Sequence, residues 1–280
     1  SALRNQAWQN IGSLRNMGVE STISWKVIRA KDWYWTLDYN FTYNSNKILD
    51  LSGVTSDGAP VANTGIKIGT DKYLEYQQVG HPMNSFWVFQ QAYDKNGKAI
   101  EGAVVDRNGD GQITNDDRYY YKSPAAPVTM GLASRLEYKN WDFSFSLRAN
   151  LGNYVYDAVS QGFHNVSPNA LWASTNFLTN KTASAVADNW ATDETSSTLT
   201  DRWVHNASFL KCDNITLGYS FENLFKCAKY HGISGRAYVT ASNVFTITNY
   251  DGIDPEVFNG YDNNVYPRPF SLIVGLNLNF

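Results

Sequence analysis

The sequence lacks any run of about eighteen apolar residues, so no segment can cross a membrane as an α-helix. Charged residues make up only 18% of the 280 positions and the formal net charge is −3, so there is no basic surface to hold nucleic acid. The two cysteines, Cys212 and Cys227, are too few for a disulfide-stabilised secreted scaffold. Aromatic residues, in contrast, are abundant at 15%.

Alternation of apolar and polar residues dominates the chain, with a period of two rather than 3.6. In residues 141–151, for example, Phe143 and Phe145 lie on one face of the predicted strand, while Ser144 and Arg148 lie on the other. This pattern predicts about seven strands, at 19–29, 33–43, 128–138, 141–151, 208–221, 236–246 and 269–280. Alternation of this kind fits a half-exposed soluble sheet as well as a membrane barrel.

The connections between these strands alternate between short and long. The short ones lie at 30–32, 139–140 and 222–235, and the long ones at 44–127, 152–207 and 247–268. Outer-membrane barrels show this alternation because tight turns lie on the periplasmic rim and long loops on the outside, whereas a sandwich has no reason to obey it. We therefore predict an all-β fold, an antiparallel transmembrane β-barrel with long extracellular loops and a periplasmic C-terminus.

The predicted strands are too few to close a wide barrel. About seven strands would leave unpaired edges in lipid, where each free backbone group is costly. The chain also begins SALRNQAWQN, without an initiator Met or a leader. We therefore expect a barrel fragment, with the other strands supplied by remaining barrel segments.

A calcium-type loop lies within the first long connection, where residues 106–117 read DRNGDGQITNDD. Asp106, Asn108 and Asp110 would supply side-chain oxygens, Gln112 its backbone carbonyl and Asp117 the closing carboxylate. The pattern departs from an EF-hand in having Asp at the twelfth place and no convincing flanking helices. We predict structural Ca²⁺ with a Kd of about 10⁻⁴–10⁻³ M; the alternative is an Asp/Gly-rich turn that binds no metal.

Five segments carry a family resemblance in the expected order: NMGVESTISWKVIRAKDWYWTLDYNFTYNSNKILDLS (16–52), VVDRNGDGQITNDDR (104–118), SFLKCDNITLGYSF (208–221), ASNVFTITNYDGIDPEV (241–257) and YPRPFSLIVGLNLNF (266–280). Together they resemble the C-terminal part of a SusC/RagA-type TonB-dependent transporter. The resemblance implies a barrel of about 22 strands in the cell outer membrane. It also implies an N-terminal plug, energy from TonB and a SusD-like lipoprotein that helps to capture glycan or peptide cargo. The plug and the TonB box have no counterpart in these residues.

The aromatic residues divide by position. Those near strand ends, such as Trp33 and Trp141, are expected at the lipid–water interface. Four loop residues are candidates for stacking on substrate: Trp87, Trp172, Trp190 and Tyr261. The alternative for each is a place in the small hydrophobic core of its own loop.

Catalytic motifs are missing from the sequence, which has no GxSxG, HExxH or P-loop, and its four histidines show no metal spacing. We therefore expect a transport component and not an enzyme. The alternative interpretation of function is a calcium-stabilised extracellular β-module with a carbohydrate-binding or adhesive role. Cys212 and Cys227 should lie roughly 30 Å apart along and beyond one strand, too far for a disulfide.

Overall fold

The computed structural model describes residues 12–54, 60–62, 66–69, 72–164, 182–190, 199–224, 232–263 and 266–279. Its main feature is one antiparallel sheet of seven long strands, in which neighbours along the chain are also neighbours in space. The strands are Ser13–Arg29 (β1), Trp33–Asp50 (β2), Val128–Tyr138 (β3), Trp141–Leu151 (β4), Phe209–Leu224 (β5), Ile233–Thr248 (β6) and Ser271–Asn279 (β7). This arrangement confirms the predicted antiparallel β fold.

Tight turns join β1 to β2 and β3 to β4 at the same end of the sheet. Between β3 and β4 only Lys139 and Asn140 remain, and Lys139 adopts a φ of 52°, as two-residue hairpins require. The Lys139 N–H also donates to the Asp32 carbonyl at 2.9 Å, which ties the two turns together. The long connections consequently all leave from the opposite end.

Strand length differs from the prediction in the first hairpin. β3 and β4 have 11 residues each, about the length that crosses a bilayer as a tilted strand. β1 and β2 instead have 17 and 18 residues and continue to Ser13 and Asp50. Residues 44–47 read NSNK and lack apolar alternation, so the pattern could not reveal strand pairing that needs only backbone hydrogen bonds.

The apolar face of the sheet is exposed. Leu217 is 48% exposed, Val274 74% and Leu276 59%, and Phe143, the register partner of Leu217, is 37% exposed. The facing layers of a β-sandwich would bury such side chains. Within the described part of the chain no second layer covers these four residues, as expected for a face that meets lipid.

Aromatic rings cluster on this face at the end that carries the tight turns. Trp33 lies 4.2 Å from Tyr138 between ring centroids, and Trp141 lies 4.8 Å from Tyr219. Trp33 and Trp141 are 43% and 50% exposed. Amphipathic rings in such a row suit the boundary between hydrocarbon and water.

The long connections build a second layer of small elements that the sequence pattern did not predict. Its strands are Val61–Ala62, Lys67–Gly69, Lys72–Tyr73, Glu75–Gln77, Ser85–Val88, Gln91–Tyr93, Ala99–Val104, Tyr119–Tyr120, Tyr154–Asp157, Val204–Asn206 and Tyr261–Asp262. In the described residues the layer also contains two short helices, Ala158–His164 (α1) and Ala183–Ala187 (α2), and 3₁₀ turns at Asn115–Asp117 and Asp201–Trp203. Among the helices the structure describes, none is long and apolar enough to span a bilayer.

The hydrophobic core lies in this loop layer and not in the large sheet. Leu74, Phe86, Val88 and Tyr156 are completely buried there, and Trp203 is 4% exposed. Because the first and second long connections both contribute to it, the core joins segments that are far apart in sequence. The loops therefore form a packed cap over one end of the sheet.

Candidate functional site

A pocket of about 640 Å³ opens where the loop layer meets the polar face of the sheet. Thr129 on β3 and Arg148 and Asn150 on β4 form its wall on the sheet side. The segment 255–259, from the last long connection, also lines it. Pockets of this size take small molecules or parts of larger ones, so this is the candidate functional site.

A carboxylate, Glu256, fastens the last loop to the sheet beside this pocket. Its Oε2 accepts a hydrogen bond from Lys211 Nζ at 2.5 Å, and its Oε1 lies 2.5 Å from Arg148 Nη2. Burial alone would raise the pKa of the Glu256 carboxyl, but the hydrogen bonds from Lys211 and Arg148 outweigh it and keep the pKa below its usual value. Glu256 is therefore held as an anion between the last loop and the sheet.

Two further ion pairs lie beside the pocket. Arg148 donates to both carboxylate oxygens of Asp213 at 3.1 Å, and Arg268 Nε donates to Asp254 at 3.0 Å. Asp213 reaches the polar face because a β-bulge interrupts the register between β4 and β5 at this point. Bidentate geometry of the Arg148–Asp213 kind fixes the orientation of the guanidinium.

Further along the polar face, Asp142 on β4 pairs with Arg236 on β6 across the intervening strand. Their bonds are 2.8 Å for Nε to Oδ1 and 2.5 Å for Nη2 to Oδ2. Gly218 on β5 makes the contact possible, since a Cβ there would lie 2.4 Å from Arg236 Nη2. The polar face thus carries organised ion pairs and is not merely a solvated surface.

The calcium-type loop is organised around Asp117, which is completely buried. Its carboxylate accepts backbone hydrogen bonds from Thr114 and Arg107 at 2.8 Å and from Asn108 at 3.3 Å. The Thr114 bond, with smaller contributions from Arg107 and Asn108, lowers the pKa of this carboxyl despite the opposing effect of burial.

The other predicted ligands also hold the backbone of the loop. Asp106 accepts from Gly109 at 2.7 Å and Gly111 at 2.8 Å, and Asp110 accepts from the Gln112 N–H at 2.8 Å. Asn108 Oδ1 accepts from the Asp110 N–H at 3.0 Å. In the part of the chain that the structure describes, no three His, Cys, Asp or Glu side chains come together as a metal-holding group. The loop closes through its own hydrogen bonds, and calcium binding stays a prediction.

Three of the four predicted stacking residues are described by the structure, and they pack within the loop layer. Arg118 lies 4.0 Å from the centroid of the Trp87 ring and covers its face, and burial lowers the pKa of this guanidinium to about 10. Tyr261 stacks on Tyr156 at 6.0 Å, and Trp190 is only 2% exposed. Trp172 lies outside the described residues. Substrate contact by these four stays a prediction.

Most of the pocket was not foreseen from the sequence. Arg148 was placed on the polar face by alternation, and the same pattern extends to Asn150. The contribution of Asn153 and Glu256 has no local signal, because both lie in connections whose path depends on the loop core. Of the cysteines, Cys212 is a buried free thiol and Cys227 lies outside the described residues.

Comparison with known proteins places these features in one class. No protein-family model matches the chain. The TonB-dependent receptor SusC of Bacteroides thetaiotaomicron is 49% identical over 276 residues, covering 98% of this chain and 27% of that receptor. The TonB-dependent receptor P3 of Formosa agariphila is 28% identical over 305 residues, covering 97% of this chain and 29% of the receptor.

Solved structures show the same fold. The structure of the RagAB peptide transporter superposes with a TM-score of 0.70 at 22% identity, over 97% of this chain and 30% of that one. A second RagAB structure, in the closed-closed state, gives the same TM-score at 23% identity. A long-stranded sheet with an exposed apolar face and a cap of packed loops is thus a wall of the kind found in TonB-dependent receptors.

Within that class, the chain belongs to the SusC/RagA-type receptors, as its similarity to SusC over nearly its whole length shows. It spans about 27% of the length of SusC. These relatives are receptors and transporters and not enzymes, in agreement with the prediction. They give no support to the alternative interpretation, a calcium-stabilised extracellular β-module.

Proposed function

We propose that this chain forms part of the wall and outer loops of a TonB-dependent importer in a bacterial outer membrane. The observation that carries the proposal is the 49% identity to the receptor SusC across 98% of the chain. The exposed apolar face supports it physically, because side chains such as Val274, 74% exposed, need a hydrocarbon environment.

The cargo we propose is an oligomeric nutrient, a glycan or a peptide. The three long connections leave the same end of the sheet and build the packed cap, so they would lie outside the cell and meet cargo first. A SusD-like surface lipoprotein would close over this cap. TonB would act through a plug, remaining barrel segments would close the sheet, and the C-terminus would lie on the periplasmic side.

The test is uptake by cells that carry the receptor containing this chain. We expect a fluorescent oligomer to accumulate in these cells and not in cells lacking the receptor or lacking TonB. Surface protease should cut the long connections in intact cells, whereas the turns at 30–32 and 139–140 should be cut only after the outer membrane is opened. Uptake that continues without TonB would contradict the proposal.

We also propose that the loop at 106–117 binds Ca²⁺ as a structural ion. The oxygen-rich side chains at its first, third, fifth and twelfth places support this, although binding would require oxygens that now accept backbone hydrogen bonds to turn towards a common centre. Its role would be to fasten the first long connection.

Calcium titration by calorimetry tests this second proposal. We expect Ca²⁺ to bind with a Kd of about 10⁻⁴–10⁻³ M, and we expect Asp110→Ala, which removes the side-chain oxygens, to abolish this binding. Asp116→Ala is the matched control, because Asp116 is exposed and lies outside the ligand pattern. Equal binding by the two variants, or no heat with either the parent or the control, would show that the loop is a metal-free turn.

A further inference from the structure

The first hairpin of the sheet continues beyond its neighbour at the end opposite the tight turns. β2 pairs with β3 only as far as Tyr43, whereas β1 and β2 stay paired with each other up to Ser13 and Asp50. The long connections leave from this same end. Under the proposed function, the extension of the hairpin therefore lies on the outer side of the membrane.

The loop layer holds one face of this extension. Asn46 Oδ1 accepts a hydrogen bond from the Met83 N–H at 2.8 Å, and the Ile48 N–H donates to the His81 carbonyl at 2.9 Å. The His81 ring stacks on Tyr120 at 4.2 Å between centroids, so it faces the loops. The extension is thus fastened from the side of the cap.

The other face of the extension carries two cations opposite each other. Arg15 on β1 and Lys47 on β2 are direct register partners, and both are exposed. By alternation they share the face of Met17, Val19 and Tyr43, which are 58%, 63% and 45% exposed. Like charges directly opposite each other destabilise a strand pair. Neither cation forms an ion pair with any residue that the structure describes.

The acids of this part of the hairpin are engaged or point elsewhere. Asp50 lies beyond an irregularity in the pairing and accepts from the Ser52 N–H and the Ser52 hydroxyl, both at 2.9 Å. Glu20 is the register partner of Thr42, on the polar face. Within the described chain the repulsion between the two cations is therefore not offset, and an anion for them would have to come from outside it.

The depth of the pair in the membrane indicates which kind of anion this is. Aromatic rings lie on the same face of β2 at Trp33 and Tyr43, ten positions apart. At about 3.3 Å per residue and a tilt of about 45°, they are about 23 Å apart along the membrane normal, close to the apolar band of about 25 Å in such barrels. Lys47, four positions further on, lies about 9 Å beyond Tyr43. Its flexible side chain can reach the layer of lipid headgroups from there.

A lipid phosphate suits both cations at this depth. A guanidinium binds phosphate oxygens through parallel N–H groups, and an ammonium adds a compact charge with three donors. The acyl chains of the same molecule would lie on the apolar side chains that follow, beginning at Met17 and Val19. A soluble anion could satisfy the charges but would leave this apolar surface uncovered. The continuity of the cationic and apolar surfaces on one face favours a lipid.

We propose that Arg15 and Lys47 form a binding site for the phosphate of an outer-leaflet lipid, whose acyl chains cover the exposed apolar face of the first hairpin. The inference rests on the proposed function, because it requires this end of the sheet to lie at the outer surface of an outer membrane. It gives the extension of β1 and β2 a role separate from cargo, which is to hold the receptor to its surrounding lipid.

The test uses the receptor containing this chain, purified and delipidated in a non-ionic detergent, and native mass spectrometry with defined probes. These are lipid A with two phosphates, the same lipid with both phosphates removed, and inorganic phosphate as competitor. We expect the phosphorylated lipid to bind at least about tenfold more tightly than the dephosphorylated one. An excess of inorganic phosphate should not displace it.

Substitutions then locate the site and separate binding from folding. Lys47→Glu places a carboxylate opposite Arg15, so the unfolding temperature should stay the same or rise, while the affinity for the phosphorylated lipid falls at least about tenfold. Arg15→Gln also removes the repulsion and should weaken binding to a similar extent.

Lys95→Glu is the matched control. Lys95 is exposed and lies between the loop strands Gln91–Tyr93 and Ala99–Val104, which are not part of the large sheet. This variant makes the same change of charge and should alter the affinity by less than about twofold.

Three results would overturn the proposal: equal binding of the two lipids, displacement of the lipid by inorganic phosphate, or a loss of affinity in Lys47→Glu and Arg15→Gln no larger than in Lys95→Glu. Its failure is separable from failure of the proposed function. TonB-dependent uptake by a receptor that gives any of these results would retain the importer and reject the lipid site. Selective lipid binding without TonB-dependent uptake would retain the lipid site and reject the importer.

Discussion

Glu256 shows how much one side chain can organise in this protein. It is 8% exposed in its side chain, lies in the last long connection, and bonds to β5 through Lys211 and to β4 through Arg148. Burying a carboxylate is unfavourable in itself, so the interaction is stabilising only because two cations complete it. The fastening of the loop therefore depends on the ionisation of this group.

Stability should depend on pH through Glu256. Its folded-state pKa is below the unfolded value of about 4.3, so its contribution is fully present above that pH and is lost as the pH falls through the folded pKa. Glu256→Gln should therefore lower stability by about 3 kcal/mol at neutral pH by leaving Lys211 buried without an anion. Thermal unfolding of both proteins between neutral pH and pH 3 measures this.

The difference between Glu256→Gln and the parent should shrink towards the acid end of that range. Glu222→Gln is the control, because Glu222 is exposed. A difference that stays constant down to pH 3 would contradict the assignment of the effect to the Glu256 carboxylate.

Gly275 is a second residue whose identity matters, because the Tyr238 ring lies directly over it on the neighbouring strand. A Cβ at this position would lie 2.2 Å from Tyr238 Cζ, so Gly275→Ala must displace a stiff ring. We expect a loss of about 1–3 kcal/mol, seen as a lower temperature at which the folded band disappears in semi-native electrophoresis. Gly162→Ala in α1, where the added Cβ meets nothing within 4 Å, should not show this loss; an equal loss would refute the steric explanation.

At the scale of whole elements, the two faces of the sheet should respond oppositely to charge. Ile215 on β5 is the register partner of Phe145, near the middle of β4, on the apolar face. Ile215→Arg should destabilise the membrane-inserted protein by about 2–4 kcal/mol and reduce its amount in the outer membrane, as measured by immunoblotting of fractionated cells.

The control for this experiment is Ala133→Arg, which adds the same charge in the middle of β3 on the polar face, where Ala133 is exposed. It should assemble normally. If both variants assembled equally well, the apolar face would not be in lipid.

Alternation predicted the strands correctly where one face is apolar along the full strand. β3 and β4 have the predicted bounds, 128–138 and 141–151. Alternation failed to predict the strand at 44–50, where pairing continues without an apolar face. Backbone hydrogen bonds hold this part of the strand, and they do not require a pattern of apolar side chains. The β-bulge at Asp213 moves the side chains of Phe209 and Lys211 to the other face of the sheet. Alternation did not predict this bulge either.

At the scale of the whole molecule, the loop core and the sheet should behave as separate units. Phe86 is completely buried in the loop core, so Phe86→Ala should cost that layer about 3–5 kcal/mol. We expect proteolysis within 51–127 to be faster than in the parent, while the sheet still resists heat in semi-native electrophoresis. Phe163→Ala, at a phenylalanine of α1 that is 62% exposed, is the matched control and should leave the rate of cleavage unchanged.

The candidate site could be only partly predicted because it forms where distant segments meet. Arg148 could be assigned to the polar face from its own strand, but its contact with Glu256 depends on the route of a connection more than a hundred residues later. That route is determined by the packed cap, in which residues such as Tyr156 and Trp203 come together without any periodic signal. The local sequence pattern therefore predicted the strands of the sheet, but it did not predict the pocket.

Under the proposed function, the cap, which contains its own hydrophobic core, could change in sequence while the strands keep their exposed apolar face. Chimeras between relatives could exchange the segments 51–127 and 152–208 and keep the strands. Both segments would have to come from the same relative, because they share one hydrophobic core. Under the proposed function, new cargo preferences could evolve by exchange of these loop segments, while the strands are kept.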